Sequence, residues 1–321
     1  MMEIKEATHE DLPEMIALLK ISLGEGLIPK SEEYFIWKHE KNPFGKSKIL
    51  LAKEDGKIVG LRAFMHWSWT SSAETISAVR AVDTATDPAY QGRGIFKKLT
   101  LQAAEECKQE GVGLVFNSPN PISMKGYLKM GWQSSGRMPM YLGLGSIFPR
   151  FYNENSAENL ALEYDVSKAL NQISNNWSLT KNSKNFHTLI NKQYLKWRYA
   201  DCPIVKYGAV IEPNQFGIIF RLKRVNQFIE LRICELWSAE PESEKKARIA
   251  YKQLIKRIRP IIVTCGKSPL FGNQKNNPLG LLGPFLKGPV TTLKPLVVTD
   301  NFYNFENFNY WQPSLGTMEL F

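Results

Sequence analysis

The residues with the clearest chemical potential are Gln91-Gly92-Arg93-Gly94-Ile95-Phe96, inside the stretch Val79–Phe96. That stretch reads as a strand, a short turn opened by Asp87-Pro88, and a glycine-punctuated start of a helix. Consecutive backbone N–H groups in such a turn converge at the positive end of a helix dipole, which suits a phosphate. The turn lacks the trailing Gly-Lys-Ser/Thr of a Walker loop and the G-x-G-x-x-G spacing of a dinucleotide fold. Metal chemistry finds no support here. Cys107, Cys202, Cys234 and Cys265 are scattered, with no CxxC and no paired histidine spacing, and read as free buried thiols in a reducing compartment.

The elements that must hold this turn follow from periodicity. Met2–Ala7 alternates as a first strand, and Thr8 with Asp11 forms a capping-box-like helix start. Leu12, Met15, Ile16, Leu19 and Leu23 recur at helical spacing, with Pro13 in the first turn. Ser31 caps an aromatic helix holding Tyr34, Phe35 and Trp37. A hairpin follows from Ile49–Lys53 and Ile58–Trp69 around Asp55-Gly56. Ile76–Thr86 is the next strand, leading into the glycine turn. Ile95, Leu99, Ala103 and Cys107 share one face of the helix beyond it, which Gly111 ends. Leu114–Asn117 reads as a short buried strand, Ser123–Met130 as a helix closed by Gly131, and Met138–Leu142 as a final strand.

Gln91-x-x-Gly94-x-Phe96 is one residue away from the Q/R-x-x-G-x-G/A signature, and it resembles that of the GCN5-related N-acetyltransferases. The element order is the order of that fold, so topology and motif agree. The resemblance spans roughly Thr8–Leu142 and departs at Phe96, where a small residue is usual; Phe96 is expected to turn into the helix–sheet core. It implies an α/β (α+β mixed sheet) acyl-CoA N-acyltransferase fold and acetyl-CoA as co-substrate, with no metal.

The resemblance also implies roles for named residues. Backbone N–H groups of Gln91, Gly92, Arg93, Gly94, Ile95 and Phe96 would cradle the CoA pyrophosphate, with the Arg93 cation nearby. Thr84, Ala85 and Thr86 would pair with the pantetheine arm and polarise the acetyl carbonyl. Asn120 would bond the pantetheine arm or act as a turn residue. Tyr127, in Tyr127-x-x-x-Gly131-Trp132, matches the tyrosine that protonates the leaving thiolate. For the amine proton, Asp83 is the candidate base, with Glu25 and His66 as rivals and a water relay as the other route; Asp83 alternatively pairs with Arg80 or Arg62. Glu25, Trp67 and Trp69 are the expected acceptor contacts, the two tryptophans either stacking on a sugar ring or packing against a second domain.

At 321 residues the chain exceeds one ordinary domain, and 43% hydrophobic content supports a substantial core. Residues 143–160 are rich in Gly, Asn and Ser and read as a linker. Beyond them Tyr34-x-x-Trp37-Lys38 and Pro43 reappear as Tyr194-x-x-Trp197-Arg198 and Pro203, and Val79–Asp83 as Leu231–Glu235. This predicts a duplication: an acetyltransferase domain over 1–145, a linker over 146–160 and a degenerate copy over 161–321. The copy has no glycine turn after Glu235, and its role would be to brace the first domain.

The net charge of +10 splits as +2 over residues 1–150 and +8 over 151–321, much of it in Lys245–Arg259. That run is read as a solvated helix face in preference to a nucleic-acid surface. No apolar run reaches membrane length, and the acidic MMEIKEATHEDL start does not resemble a signal peptide, so a cytoplasmic monomer or homodimer is expected. The function expected is N-acetyl transfer to a small amine, an amino-sugar or amine metabolite. The alternatives are a tandem-domain peptide or aminoacyl transferase with an RNA-linked donor, and a non-catalytic acetyl-CoA binder.

Overall fold

The computed structural model describes residues 2–24, 26, 28–179, 185–238, 241–267, 279–297 and 310–318. In chain order the elements are β1 (Glu3–Glu6), α1 (Leu12–Leu23), α2 (Glu32–His39), β2 (Lys48–Glu54), β3 (Lys57–Thr70), β4 (Thr75–Thr86), α3 (Ile95–Gln109), β5 (Leu114–Asn117), α4 (Pro121–Lys129), β6 (Gln133–Arg137) and β7 (Met140–Leu144). There follow α5 (Glu154–Leu162), α6 (Val166–Asn171), the two-residue β8 (His187–Thr188), α7 (Lys192–Leu195), β9 (Gly208–Glu212), β10 (Phe216–Val225) and β11 (Phe228–Ser238). The last are α8 (Pro241–Ile258), β12 (Ile262–Gly266), β13 (Leu282–Phe285), β14 (Val290–Pro295) and α9 (Leu315–Met318). No helix among the described residues is long and apolar enough to cross a membrane.

Contacts divide the chain into two units. The first comprises Met1–Trp69, Thr75–Gly136 and Val290–Asn307; the second comprises Thr70–Glu74, Arg137–Pro289 and Phe308–Phe321. In the first, the sheet runs β1-β2-β3-β4-β5-β14-β6. Local chemistry sets its edges as expected. Thr8 and Asp11 form the capping box ahead of α1, the Ser31 side chain accepts from the Tyr34 N–H at the start of α2, and Asp55 and Gly56 turn the β2–β3 hairpin at φ 51° and 80°. One face of the sheet takes α3, through Ile95, Leu99, Ala103 and Cys107 against Val59, Val79 and Val115. Gly60 carries no side chain because a Cβ there would collide with Ile95 Cγ2. The other face takes α1 and α2, through Leu12, Met15, Leu19 and Phe35 against Ile49, Leu51 and Leu61.

The second unit repeats this plan. Its sheet runs β9-β10-β11-β12-β7-β13, which matches β2-β3-β4-β5-β14-β6 position for position, and β11–β12 is parallel as β4–β5 is. Asn191 caps α7 by accepting from the Tyr194 N–H, 160 residues after Ser31 does so for Tyr34. The fifth strand of each matched six-strand order comes from the other half of the sequence: β14 in the first, β7 in the second.

This corrects the expected boundary at 145. Met138–Leu142 is not a final strand of the first domain. Pro139 lacks the N–H that a continuous ladder needs, so the segment breaks into β6 on the first sheet and β7 on the second, where Leu142 pairs with Thr264. The expected linker over 146–160 is also half helical. Asn153 caps α5 through the Ser156 N–H, and Ala157 and Leu160 are buried. All four cysteines are free and buried.

Candidate active site

The site arises where two strands part. β4 and β5 pair in parallel only over Ala78–Arg80 and Leu114–Phe116. Beyond that β4 continues to Thr86 while β5 ends at Asn117, and a cavity of about 580 Å³ opens between their continuations. Thr84, Ala85 and Thr86 line one side; Asn120, Ser123 and Gly126 line the other; Ser22 and Leu23 at the end of α1 also border it. Gln91, Gly92, Gly94, Ile95, Phe96 and Lys97 line it as well.

The glycine turn behaves as its composition demands. Gly92 and Gly94 hold φ of 77° and 75°, a region that L side chains avoid. Gly94 is the N-cap of the 15-residue α3, no side chain caps that helix, and its first turn contains no acidic residue. Uncapped N–H groups and the helix dipole therefore meet the cavity. Lys97 adds a cation at the same place. The sequence offered one signal for it: a lysine in a helix's first turn opposes the dipole unless an anion binds there.

Not every expected side chain faces the cavity. Arg93 turns away, donating from Nη2 to Glu54 Oε1 and Oε2 at 3.0 and 2.8 Å and lying over Tyr90, so only its backbone belongs to the turn. Trp67 and Trp69 are 1% and 0% exposed and pack on Phe116, Trp67 also on Phe44, which leaves no open ring face for an acceptor. Asn120 lines the cavity but also N-caps α4, its Oδ1 accepting from the Ser123 N–H at 2.8 Å. His66 is half-buried on β3 and does not line the cavity; burial pulls its pKa down. Glu25 lies outside the described residues.

Tyr127 is buried, and its hydroxyl accepts from Arg62 Nη2 at 2.6 Å. Its ring meets Phe96 edge-on at 5.5 Å and Trp132 at 5.4 Å. The cavity wall reaches its neighbours Phe96 and Gly126. Phe96 is half-buried, one part of the ring on the core and another on the cavity, so it turns inward only in part. A Cβ at position 126 would approach Phe96 Cε1 to 3.0 Å, so the large residue at 96 is matched by a glycine on α4.

Asp83 is held rather than poised. Its Oδ2 meets Lys38 Nζ and His39 Nε2, each at 2.8 Å, and His39 Nδ1 meets Ser47 Oγ at 2.9 Å. Burial alone would raise the carboxyl pKa; the Lys38 charge and the His39 hydrogen bond outweigh it and hold the group well below the carboxylate range. A base so stabilised as its anion takes a proton poorly. The second unit places a buried acid at the matching position, with different partners. Arg198 and Tyr199 stand 160 residues after Lys38 and His39, and Tyr194, Tyr199 and Ser314 all donate to the buried Glu235. A buried acidic side chain held by hydrogen bonds thus stands at the matching position of each unit, though burial pushes the Glu235 carboxyl up while Lys38 and His39 hold Asp83 down.

Asp83→Asn is therefore expected to cost stability, about 3–5 kcal/mol, by leaving Lys38 buried without its counter-charge. His39 is pushed below its ordinary pKa by burial, partly offset by Asp83. Both depressed groups stabilise the fold fully above their unfolded values, about 6.5 and about 3.9, and lose that stabilisation as pH falls below them. Urea midpoints should accordingly drop as pH falls below about 6.5, and again below about 4, the second drop being smaller in Asp83→Asn, where Asp11 still titrates but Asp83 does not. An unchanged midpoint with collapsed turnover would restore Asp83 as the base.

Residues 3–134 match the family model described as an acetyltransferase (GNAT) domain. Compared by sequence with curated proteins, the chain matches none. Among solved structures, a GCN5-related N-acetyltransferase from Anabaena variabilis superposes with a TM-score of 0.62 at 12% identity, covering 92% of this chain and 73% of that one. A probable N-acyltransferase from Enterococcus faecalis gives 0.63 at 11% identity over the same shares. Eis1 from Mycobacterium abscessus gives 0.57 at 12%, covering 92% and 74%. At such identities the likeness shows the fold, and it extends over both units. The acetyltransferase (GNAT) match itself is confined to residues 3–134, most of the first unit.

Proposed function

We propose that the first unit is an acetyl-CoA-dependent N-acetyltransferase acting on a primary amine of a small acceptor, an amino-sugar or amine metabolite. One observation carries this: no side chain caps the N-terminus of α3, and that bare end lines a 580 Å³ cavity between parted strands. The fit to CoA is chemical. Backbone N–H groups around Gly92–Lys97 suit a pyrophosphate, Lys97 adds a cation, and Thr84–Thr86 lie along the wall where a pantetheine arm would run. Tyr127 would supply the proton to the leaving sulfur; its hydroxyl accepts from Arg62, an arrangement that leaves the O–H to donate elsewhere. With Asp83 committed to Lys38 and His39, a water relay is the favoured route for the amine proton.

The second unit is read as a catalytically empty copy, on the strength of its repeated strand order, its Asn191 cap and its Glu235 cluster. Free buried thiols support a cytoplasmic setting. Titration calorimetry with acetyl-CoA, followed by a panel of amines scored for CoA release, tests the reading. Tyr127→Phe should lower kcat by roughly 10²-fold or more while acetyl-CoA affinity stays within about twofold. Absence of saturable acetyl-CoA binding to the wild-type chain would sink it.

A further inference from the structure

Arg62 enters the core from β3, in register with Leu50 of β2, and is 1% exposed. Its guanidinium is ringed by Phe64, Phe96 and Tyr127, with Cζ 4.8, 5.8 and 5.4 Å from the ring centroids. Nη2 donates to the Tyr127 hydroxyl, while Nε and Nη1 are buried with no hydrogen-bond partner among the described residues. The sequence suggested Asp83 as its carboxylate, but Asp83 is bound to Lys38 and His39. A buried cation without a counter-ion is costly, and aromatic faces recover only part of the loss. Such an arrangement gains stabilisation whenever an anion forms beside it.

Resting on the acetyltransferase reading, we propose that Arg62 is the counter-charge for the thiolate set free in acyl transfer, acting through the Tyr127 hydroxyl. The amine lone pair forms the C–N bond and the C–S bond breaks with its electron pair left on sulfur. The sulfur takes the Tyr127 proton, and the phenolate beside Arg62 recovers, through water, the proton shed by the amine. Amine and thioester become amide and thiol, and both protein groups return to their starting state. Arg62 is thus a positioning residue. Phe96 belongs to both the cavity wall and the Arg62 cage, so its bulk, where the family motif has a small residue, screens this charge from bulk water. In that drier setting a fixed charge acts more strongly.

The test needs no acceptor. The full-length chain is titrated with CoA and with desulfo-CoA, which lacks the sulfur, at about pH 7 and about pH 9.5, spanning the ionisation range of alkyl thiols. Wild type should prefer CoA over desulfo-CoA by a ratio that grows about tenfold between the two pH values, because the thiolate is the favoured form. In Arg62→Met and in Tyr127→Phe the ratio should stay flat within about twofold. A merely structural Arg62 would weaken both ligands alike and leave the wild-type growth in place, which overturns the proposal, as does a flat ratio in wild type. Should Arg62→Met not fold, Tyr127→Phe decides alone: a lost gain supports the relay and a retained one overturns it. If neither ligand binds wild type at either pH, the acetyltransferase reading itself fails; binding without the gain defeats only the role of Arg62.

Discussion

A fragment ending at residue 145 is expected to show no cooperative unfolding transition. The first sheet needs β14, which lies between β5 and β6 and is encoded almost 150 residues further on. Leu293 is fully buried opposite Phe116, Thr292 bonds Asn117 through its hydroxyl, and Lys294 Nζ donates to the Met130 carbonyl at 3.0 Å. Without β14, β5 is held on one edge by three residue pairs to β4 and on the other by nothing. Loss of the Leu293 burial alone costs about 1.5–3 kcal/mol. Adding the severed ladder and the detached β6 brings the total within reach of the 5–15 kcal/mol that stabilises a typical domain. Circular dichroism against temperature and urea measures this directly. Joining 286–297 to a fragment ending at 136 through a short Gly-Ser linker should restore the transition. A cooperative melt of the 145-residue fragment on its own, matching that graft, would refute the assignment of β14 to this unit.

Gly92→Asp should weaken acetyl-CoA binding by at least about a hundredfold. Two effects combine. Position 92 sits at φ 77°, where a side chain costs about 1–2 kcal/mol of backbone strain even though a Cβ there meets no atom within 4 Å. A carboxylate beside a doubly charged pyrophosphate would add roughly 2–3 kcal/mol at an effective dielectric between protein surface and water. The sum, about 3–5 kcal/mol, corresponds to roughly two to three and a half powers of ten in Kd. Gly92→Ala isolates the strain and should cost only about tenfold, while Gly92→Asn, which tolerates left-handed backbone better, should lie below that. Calorimetry on variants with wild-type circular dichroism separates binding from folding. Wild-type affinity in Gly92→Asp would remove the turn from the CoA site.

Much of this was legible because it is local. The capping box at Thr8, the Ser31 cap, the Asp55-Gly56 hairpin and the glycines at 92 and 94 each declare a backbone conformation within a few residues. So does the helical face of Ile95, Leu99, Ala103 and Cys107. What was not legible depends on partners distant in sequence. Nothing in Met140–Leu144 says that its ladder neighbours will be β12 and β13 rather than β5. The same holds for side chains at the site. Arg93 is aimed by Glu54, Asp83 by Lys38 and His39, and Trp67 by Phe116, none of them near neighbours in sequence except through the fold. Arg62 did leave a trace, as a lone arginine among apolar residues in Ile58–Trp69, where a buried charge would need a reason.

The exchange of β7 and β14 also sets a clock on biosynthesis. Strand β14 of the first sheet leaves the ribosome some 150 residues after its neighbours β5 and β6. At roughly 5–20 residues per second, this is a wait of about 8–30 s. Throughout it the open flank of β5, a row of apolar residues reading Leu114-Val115-Phe116, is available to any passing strand. Slowing translation downstream of residue 145 should therefore increase the share of newly made chain that holdase chaperones bind.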